Sequence, residues 1–203
     1  MTAYFLKAQL FGWFGSQTDA TLNVLVGILS KNPSGAFPLA EIRQYFRNNR
    51  SVRVELTDAD LWDSRLRPLL LNIVYSKSFG ESPFDVAFKG NEPHMDHIYP
   101  QYMLRSRLEL GSREINDIGN LRFVGANDNI RKRAELPASY FSRMKASRIP
   151  IEKHLLVLEF ADDPGRLAFD VATYHRFRET RRAEIMRILR ATVDPDAASE
   201  SPG

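Results

Sequence analysis

The sequence predicts a mainly α protein with two short strands and a helix embedded in it, on three observations. Apolar residues recur at helical spacing over residues 1–76 and again from Pro150 to about Thr192. Between these stretches, two short apolar runs ending at Tyr99 and Val124 flank a long polar connection. The second run leads directly into the basic segment Asn127-Asp128-Asn129-Ile130-Arg131-Lys132. With 203 residues, 43% of them hydrophobic, the chain can bury one good core, or a core with a satellite lobe.

Taken in order, Tyr4, Phe5, Leu6, Ala8, Leu10, Phe11 and Phe14 form an apolar stripe that Gly15-Ser16 stops. Aromatic stripes of this kind make cores far more often than cofactor grooves. Thr18 or Asp19 caps a second helix with apolar positions Leu22, Leu25, Val26 and Leu29. Asn32-Pro33-Ser34-Gly35 is a turn, Pro38 suits the first turn of a third helix through Phe46, and Asn48-Asn49 closes it. Thr57-x-x-Asp60 resembles a capping box with Asp in place of Glu, opening a fourth helix from Leu61 to about Tyr75, bent near Pro68.

Ser78 to Pro93, with Gly80, Pro83 and Gly90, reads as a connector with room for a short strand from Phe84 to Phe88. Gln101 to Asp117 joins the two strands, is too long for a tight hairpin, and holds a short helix between Tyr102 and Leu110. Leu136-Pro137 ends the basic helix, Ala138 to Met144 makes a brief one, and Pro150 to Phe160 another. Asp162-Asp163-Pro164-Gly165 precedes the last helix, which carries Arg176, Arg178, Arg181, Arg182, Arg187 and Arg190. That helix is read either as amphipathic, with Glu179–Arg182 and Glu184–Arg187 pairs, or as a contact to a DNA backbone, the first reading preferred.

Composition narrows the function classes. Zero cysteines exclude disulfides, a thiol nucleophile and a Cys-ligated zinc knuckle, and fit a cytoplasmic location. Met1 to Phe14 interrupts its apolar pattern with Lys7 and lacks a small-residue cleavage site, so no signal peptide is expected. No run approaches about 18 apolar residues, so no membrane span is expected. The net charge is only +3, yet Ile98 to His154 holds 11 Lys/Arg against 6 Asp/Glu, which suits a phosphate-rich partner.

The residues that carry chemistry are Asp96-His97-Ile98-x-Pro100, then Asn120-Leu121, then Asn129-x-x-Lys132. Separately each is commonplace; in this order, on strand, strand and helix, they resemble the HNH (ββα-metal) nuclease motif. The likeness is greatest to the C-terminal nuclease region of GmrSD-type modification-dependent restriction enzymes and of phosphorothioate-sensing antiphage proteins. It covers roughly residues 92–137, and the strand–strand–helix part also resembles the HNH domain of CRISPR-guided nucleases. The fold expected is therefore mainly α with an embedded ββα-metal motif: residues 1–77 a helical region, 78–192 the nuclease region with C-terminal helices, and 193–203 a disordered tail.

The resemblance implies a metal-dependent DNA endonuclease that nicks one strand per visit, within a bacterial restriction or antiphage defence system. His97 is the natural base, since an imidazole near its usual pKa of about 6.5 can take a proton from water. Asp96 supplies a carboxylate and Asn129 an amide to one divalent ion. With no second imidazole or thiolate the set suits Mg²⁺ or Mn²⁺ better than Zn²⁺. Asn120 fixes the loop carrying His97 through side-chain to backbone hydrogen bonds. Asn127 or Asp128 caps the helix, and Arg131, Lys132 or Arg133 holds the DNA backbone. His94 shares strand parity with Asp96 and is either an additional ligand or a solvent-facing residue.

Adjacent strand side chains point to opposite faces, so for Asp96 and His97 to meet one phosphate the strand end must be irregular. Restriction proteins of this type carry an Asp-Gly-Gln-Gln-Arg motif in a nucleotide-hydrolysing domain, a stretch this sequence lacks. Sensing of modified DNA is then expected of a domain or subunit outside this chain. The rival readings are a non-catalytic DNA-binding or assembly module and an RNase.

Overall fold

Helices dominate the computed structural model, which describes residues 2–15, 18–32, 37–49, 52–79 and 92–193. The helices are α1 (Thr2–Leu10), α2 (Thr18–Ser30), α3 (Leu39–Asn49), α4 (Arg67–Phe79), α5 (Gln101–Arg107), α6 (Ser112–Ile115), α7 (Ala126–Lys132), α8 (Pro137–Ala146), α9 (Glu152–Leu155), α10 (Leu158–Asp162) and α11 (Val171–Val193). Strands β1 (Pro93–His97) and β2 (Leu121–Gly125) pair as a two-stranded antiparallel sheet, and α7 follows β2 directly. The mainly α expectation holds, with a strand–strand–helix succession inside it. Among the described residues, no helix is long and apolar enough to cross a membrane.

Two compact units emerge, Met1–Thr57 with Arg190–Gly203, and Asp58–Leu189. In the first, the N-terminal aromatic stripe packs into a core. Trp13 is buried and stacks on Phe46 at 4.3 Å, with Leu25, Ile42 and Val54 around them. Burying each such side chain stabilises the fold by about 2 kcal/mol. The Lys7 ammonium, also buried, donates to the Val54 carbonyl at 2.9 Å. The first helix ends at Leu10, sooner than its apolar stripe suggested, because Gly12 takes a left-handed turn with φ near +62°. Of the apolar positions expected on α2, only Leu25 is buried; Leu22, Val26 and Leu29 are exposed.

The second unit begins with a 3-10 turn, Asp58–Trp62, where a helix was expected from Leu61. Pro68 opens α4 rather than bending it: a residue without an N–H loses nothing in a first helical turn, whose amides have no partner anyway. The helix expected from Pro150 to Phe160 is divided into α9 and α10, because Leu156 has a left-handed φ of 62°. The expected strand from Phe84 to Phe88, the Pro33-Ser34-Gly35 part of the expected turn and the disordered tail after Val193 fall outside the described residues. The core gathers Ile98, Tyr99, Leu104, Ile115, Phe141 and Phe177 from both sides of the sheet's entry segments.

The arginines of α11 determine how this core receives β2. Arg181 is fully buried and gives its guanidinium to four carbonyls: His154 at 3.0 Å, Ile118 and Gly119 at 3.1 Å, and Leu121 at 2.7 Å. Burial draws its pKa down to about 10, which leaves it charged at neutral pH. Arg182 donates to Oδ2 of the buried Asp117 at 2.9 Å, and Asp117 Oδ1 in turn accepts the Gly119 amide at 2.7 Å. Arg178, 3.6 Å from Asp117 Oδ2, Arg181 and Arg182 thus brace the chain entering β2; the helix is amphipathic, as preferred, burying Tyr174, Phe177, Ile185 and Leu189, and these three arginines take protein partners. Arg187, by contrast, pairs with Glu184 on the surface as expected.

This seating explains Gly119. A Cβ there would lie 2.2 Å from the Arg178 carbonyl oxygen, backbone that cannot step aside without moving α11. Gly119→Ala is expected to cost about 3 kcal/mol of stability by overpacking, measured by urea denaturation. A cost below about 0.5 kcal/mol, the range of ordinary surface changes, would mean that α11 does not seat on this turn.

Candidate functional site

The site grows from the paired strands. Register places Pro93 opposite Gly125, His94 opposite Val124, Met95 opposite Phe123, Asp96 opposite Arg122 and His97 opposite Leu121. The ladder continues for one more bond, from the Ile98 amide to the Asn120 carbonyl at 2.8 Å. The strand is therefore regular through His97 and bends only afterwards, at Ile98-Tyr99 before Pro100. The irregularity expected at Asp96-His97 is not there, and the alternation of a regular strand sends the two side chains to different partners.

Asn120 closes the loop on either side of that bend. Its Oδ1 accepts the Tyr99 amide at 2.8 Å, and its Nδ2 donates to the carbonyls of Tyr99 at 3.3 Å and Ile115 at 3.0 Å. Three bonds from one buried amide hold the end of β1 to the start of β2. Asn120 thus touches backbone rather than open space.

Asp96, nine-tenths buried, is the point where three elements meet. Its Oδ2 accepts Arg122 Nε from β2 at 2.9 Å and Lys132 Nζ from the end of α7 at 2.8 Å. The same ammonium also donates to the His97 carbonyl. Arg122 lies 4.8 Å from the Tyr140 ring and 5.1 Å from that of Phe141, so aromatic faces cover its guanidinium. Burial pulls the pKa of Lys132 down to about 8, against the upward pull of Asp96, so the ammonium still predominates at neutral pH.

His97 turns instead to Asn116, at the end of α6. Its Nε2 lies 2.9 Å from Asn116 Oδ1, while Asn116 Nδ2 donates to the Ser112 carbonyl at 2.8 Å. A carbonyl can only accept, so that second bond fixes which end of the Asn116 amide faces His97. The imidazole must then carry its proton on Nε2 and keep its lone pair on Nδ1. Burial also lowers the His97 pKa below 6.5, partly countered by the Asn116 bond, so the ring is neutral at neutral pH.

The remaining expected site residues are more dispersed. Helix α7 begins at Ala126 with Gly125 as its cap, two residues earlier than a cap at Asn127 would give, so Asn129 sits in its fourth position and not its first turn. Asn129 is half-buried, and among the described residues no hydrogen bond joins its amide to Asp96. Lys132 points inward and is buried. Arg133 leaves the helix with a φ of 50°, so the two do not share a helical face. Arg131 is exposed, 3.8 Å from Asp128, and His94 is exposed on β1. Beside Lys132 lies a cavity of about 390 Å³ whose floor includes Phe123 and Tyr140 and whose edge includes Arg131, Arg143 and Lys153. His154, also in its lining, is buried and held well below pKa 6.5 by that burial; its Nδ1 is 3.4 Å from the Tyr75 hydroxyl.

A resident Mg²⁺ or Mn²⁺ does not fit this donor set. Among the described residues Asp96 is the one carboxylate hydrogen-bonded to Arg122 and Lys132, and the two cations share one of its oxygens. His97 points elsewhere, and among the described residues no group of three His, Asp or Glu side chains could hold an ion. Two residues that matter here escaped sequence reasoning. Asn116 lay in a connection with no motif, and Arg122 was given no role; an arginine within an otherwise apolar run was the available signal. No protein-family model matches the chain, and no curated protein is significantly similar to it.

Both imidazoles, the half-buried His97 and the buried His154, favour the neutral form when folded. Once the pH falls below about 6.5, the unfolded chain binds protons that His97 and His154 refuse. Their contribution to stability is complete above that pH and is lost as the pH falls toward the folded-state values. Urea-denaturation midpoints should therefore drop between about pH 7 and about pH 5, with a shallower drop in His154→Gln. Stability that rises on acidification over this range would contradict the burial of these rings.

Proposed function

We propose that the strand–strand–helix unit is a phosphodiester-hydrolysing site, that its substrate is DNA, and that it nicks one strand per visit in a restriction or antiphage defence setting. The observation that carries this reading is the fixed tautomer of His97. A ring whose Nε2–H is committed to Asn116 presents Nδ1 as a standing base. In the proposed reaction a water attacks phosphorus and gives its proton to Nδ1; the P–O bond to the leaving sugar oxygen breaks, and solvent protonates that oxygen. The exposed Arg131 and the cationic edge of the adjoining cavity suit a phosphate backbone. No step is assigned to a metal, because the donor set does not fit one. Modification sensing is assigned to a partner domain or subunit, as the resemblance implies.

A second reading, a non-catalytic DNA-binding or assembly module, draws on Asp96. A carboxylate neutralised by Arg122 and Lys132 is what a structural ion-pair network looks like, and binding needs no base. The RNase alternative shares the same chemistry, since a backbone contact carries no base information.

Plasmid nicking by the purified chain separates these. The hydrolase reading expects nicked circles from wild type and a rate lower by about 10²-fold or more in His97→Ala, with matched RNA cut less readily than DNA. Wild type that retards DNA on a gel but leaves it uncut would favour the binding module. Faster cutting of RNA would transfer the proposal to that substrate.

A further inference from the structure

The three-way contact at Asp96 raises the question of what supplies positive charge there. Two oxygens, Asp96 Oδ2 and the His97 carbonyl, converge on one point, as hard-cation ligands do, and the Lys132 ammonium already occupies it. Lys132 is not a surface side chain that has wandered in. It is 1% exposed, its Nζ lies 5.8 Å from the Tyr140 ring, and it leaves α7 at that helix's last residue, where the chain turns away. Arg122, fully buried, holds the same carboxylate oxygen from the opposite strand. The trio therefore carries one negative charge against two positive ones, with little water to screen them. A divalent ion brought to Asp96 would meet net repulsion from both cations and would have to expel at least one of them from a buried pair.

We infer that Lys132 is the resident cation of this site: its ammonium holds the place at Asp96 and the His97 carbonyl that a divalent ion would need, and so excludes Mg²⁺ and Mn²⁺ from it. Asp96 is then a positioning residue that anchors Lys132 and Arg122, and the charge offered near His97 is built into the chain. This goes beyond the proposed hydrolysis, and its test reads ion binding and not cleavage, so either can fail alone.

The test is a Mn²⁺ titration of ¹⁵N-labelled chain followed by NMR. A paramagnetic ion seated at Asp96 would bleach the amide signals of Asp96, His97 and Arg122. In wild type those signals are expected to stay sharp at Mn²⁺ below the protein concentration. In Lys132→Met, which removes the charge and keeps much of the stem's bulk, they are expected to bleach as the vacated oxygens take the ion. Selective bleaching in wild type would overturn the inference. So would a folded Lys132→Met whose Asp96 and His97 signals remain sharp. Should Lys132→Met fail to fold, the wild-type titration decides by itself.

Discussion

One carboxylate ties the unit together. Asp96 comes from β1, Arg122 from the second position of β2, and Lys132 from the last turn of α7, and all three meet at a single oxygen. A buried ion pair of this kind is costly to desolvate and is maintained only where geometry compensates. Here it does: the carboxylate lies across from Arg122 in register, two aromatic rings cover the guanidinium, and the ammonium finds a second acceptor in the His97 carbonyl. The result fixes the angle at which α7 leaves the sheet. It also fixes the backbone of His97, which is the link from packing to chemistry.

A second set of contacts sets the height of β2 against the core. The Arg181 guanidinium satisfies carbonyls on the turn before β2 and on the first strand residue, while Asp117 and Gly119 lock the same turn to α11. Asn120 then bonds across to Tyr99. From α11 through Arg181 and Asn120 to the end of β1 there is an unbroken series of buried, directional contacts. The base proposed here would need this kind of support, because an imidazole that swings by an ångström loses its alignment.

Much of this was legible in the sequence and some was not, for physical reasons. The two strands and the following helix were readable because short apolar runs and a basic helical segment have different periods. The place of Asn120 was readable too, since a buried amide beside a glycine at a strand entry has few other things to do. Asn116 was hidden: an Asn in a polar connection signals a turn, and only coordinates show it facing His97. The partners of Arg122 and of the α11 arginines were hidden for a shared reason. Periodicity marks which face of an element a residue occupies but not what lies against that face, and a charge bound to carbonyls or a buried carboxylate looks from sequence like a charge in water. The regularity of β1 through His97 belongs to the same class, because pairing with β2 decided it and local propensity did not.

We propose that His97 Nδ1 accepts a proton during phosphodiester cleavage. The most direct test is chemical rescue: single-turnover cutting of a DNA duplex by wild type and by His97→Gly, with and without free imidazole in the buffer. The account predicts that wild type cuts, that His97→Gly does not, and that added imidazole restores part of the lost rate in proportion to its concentration. Cutting by His97→Gly at the wild-type rate, without imidazole, would contradict it.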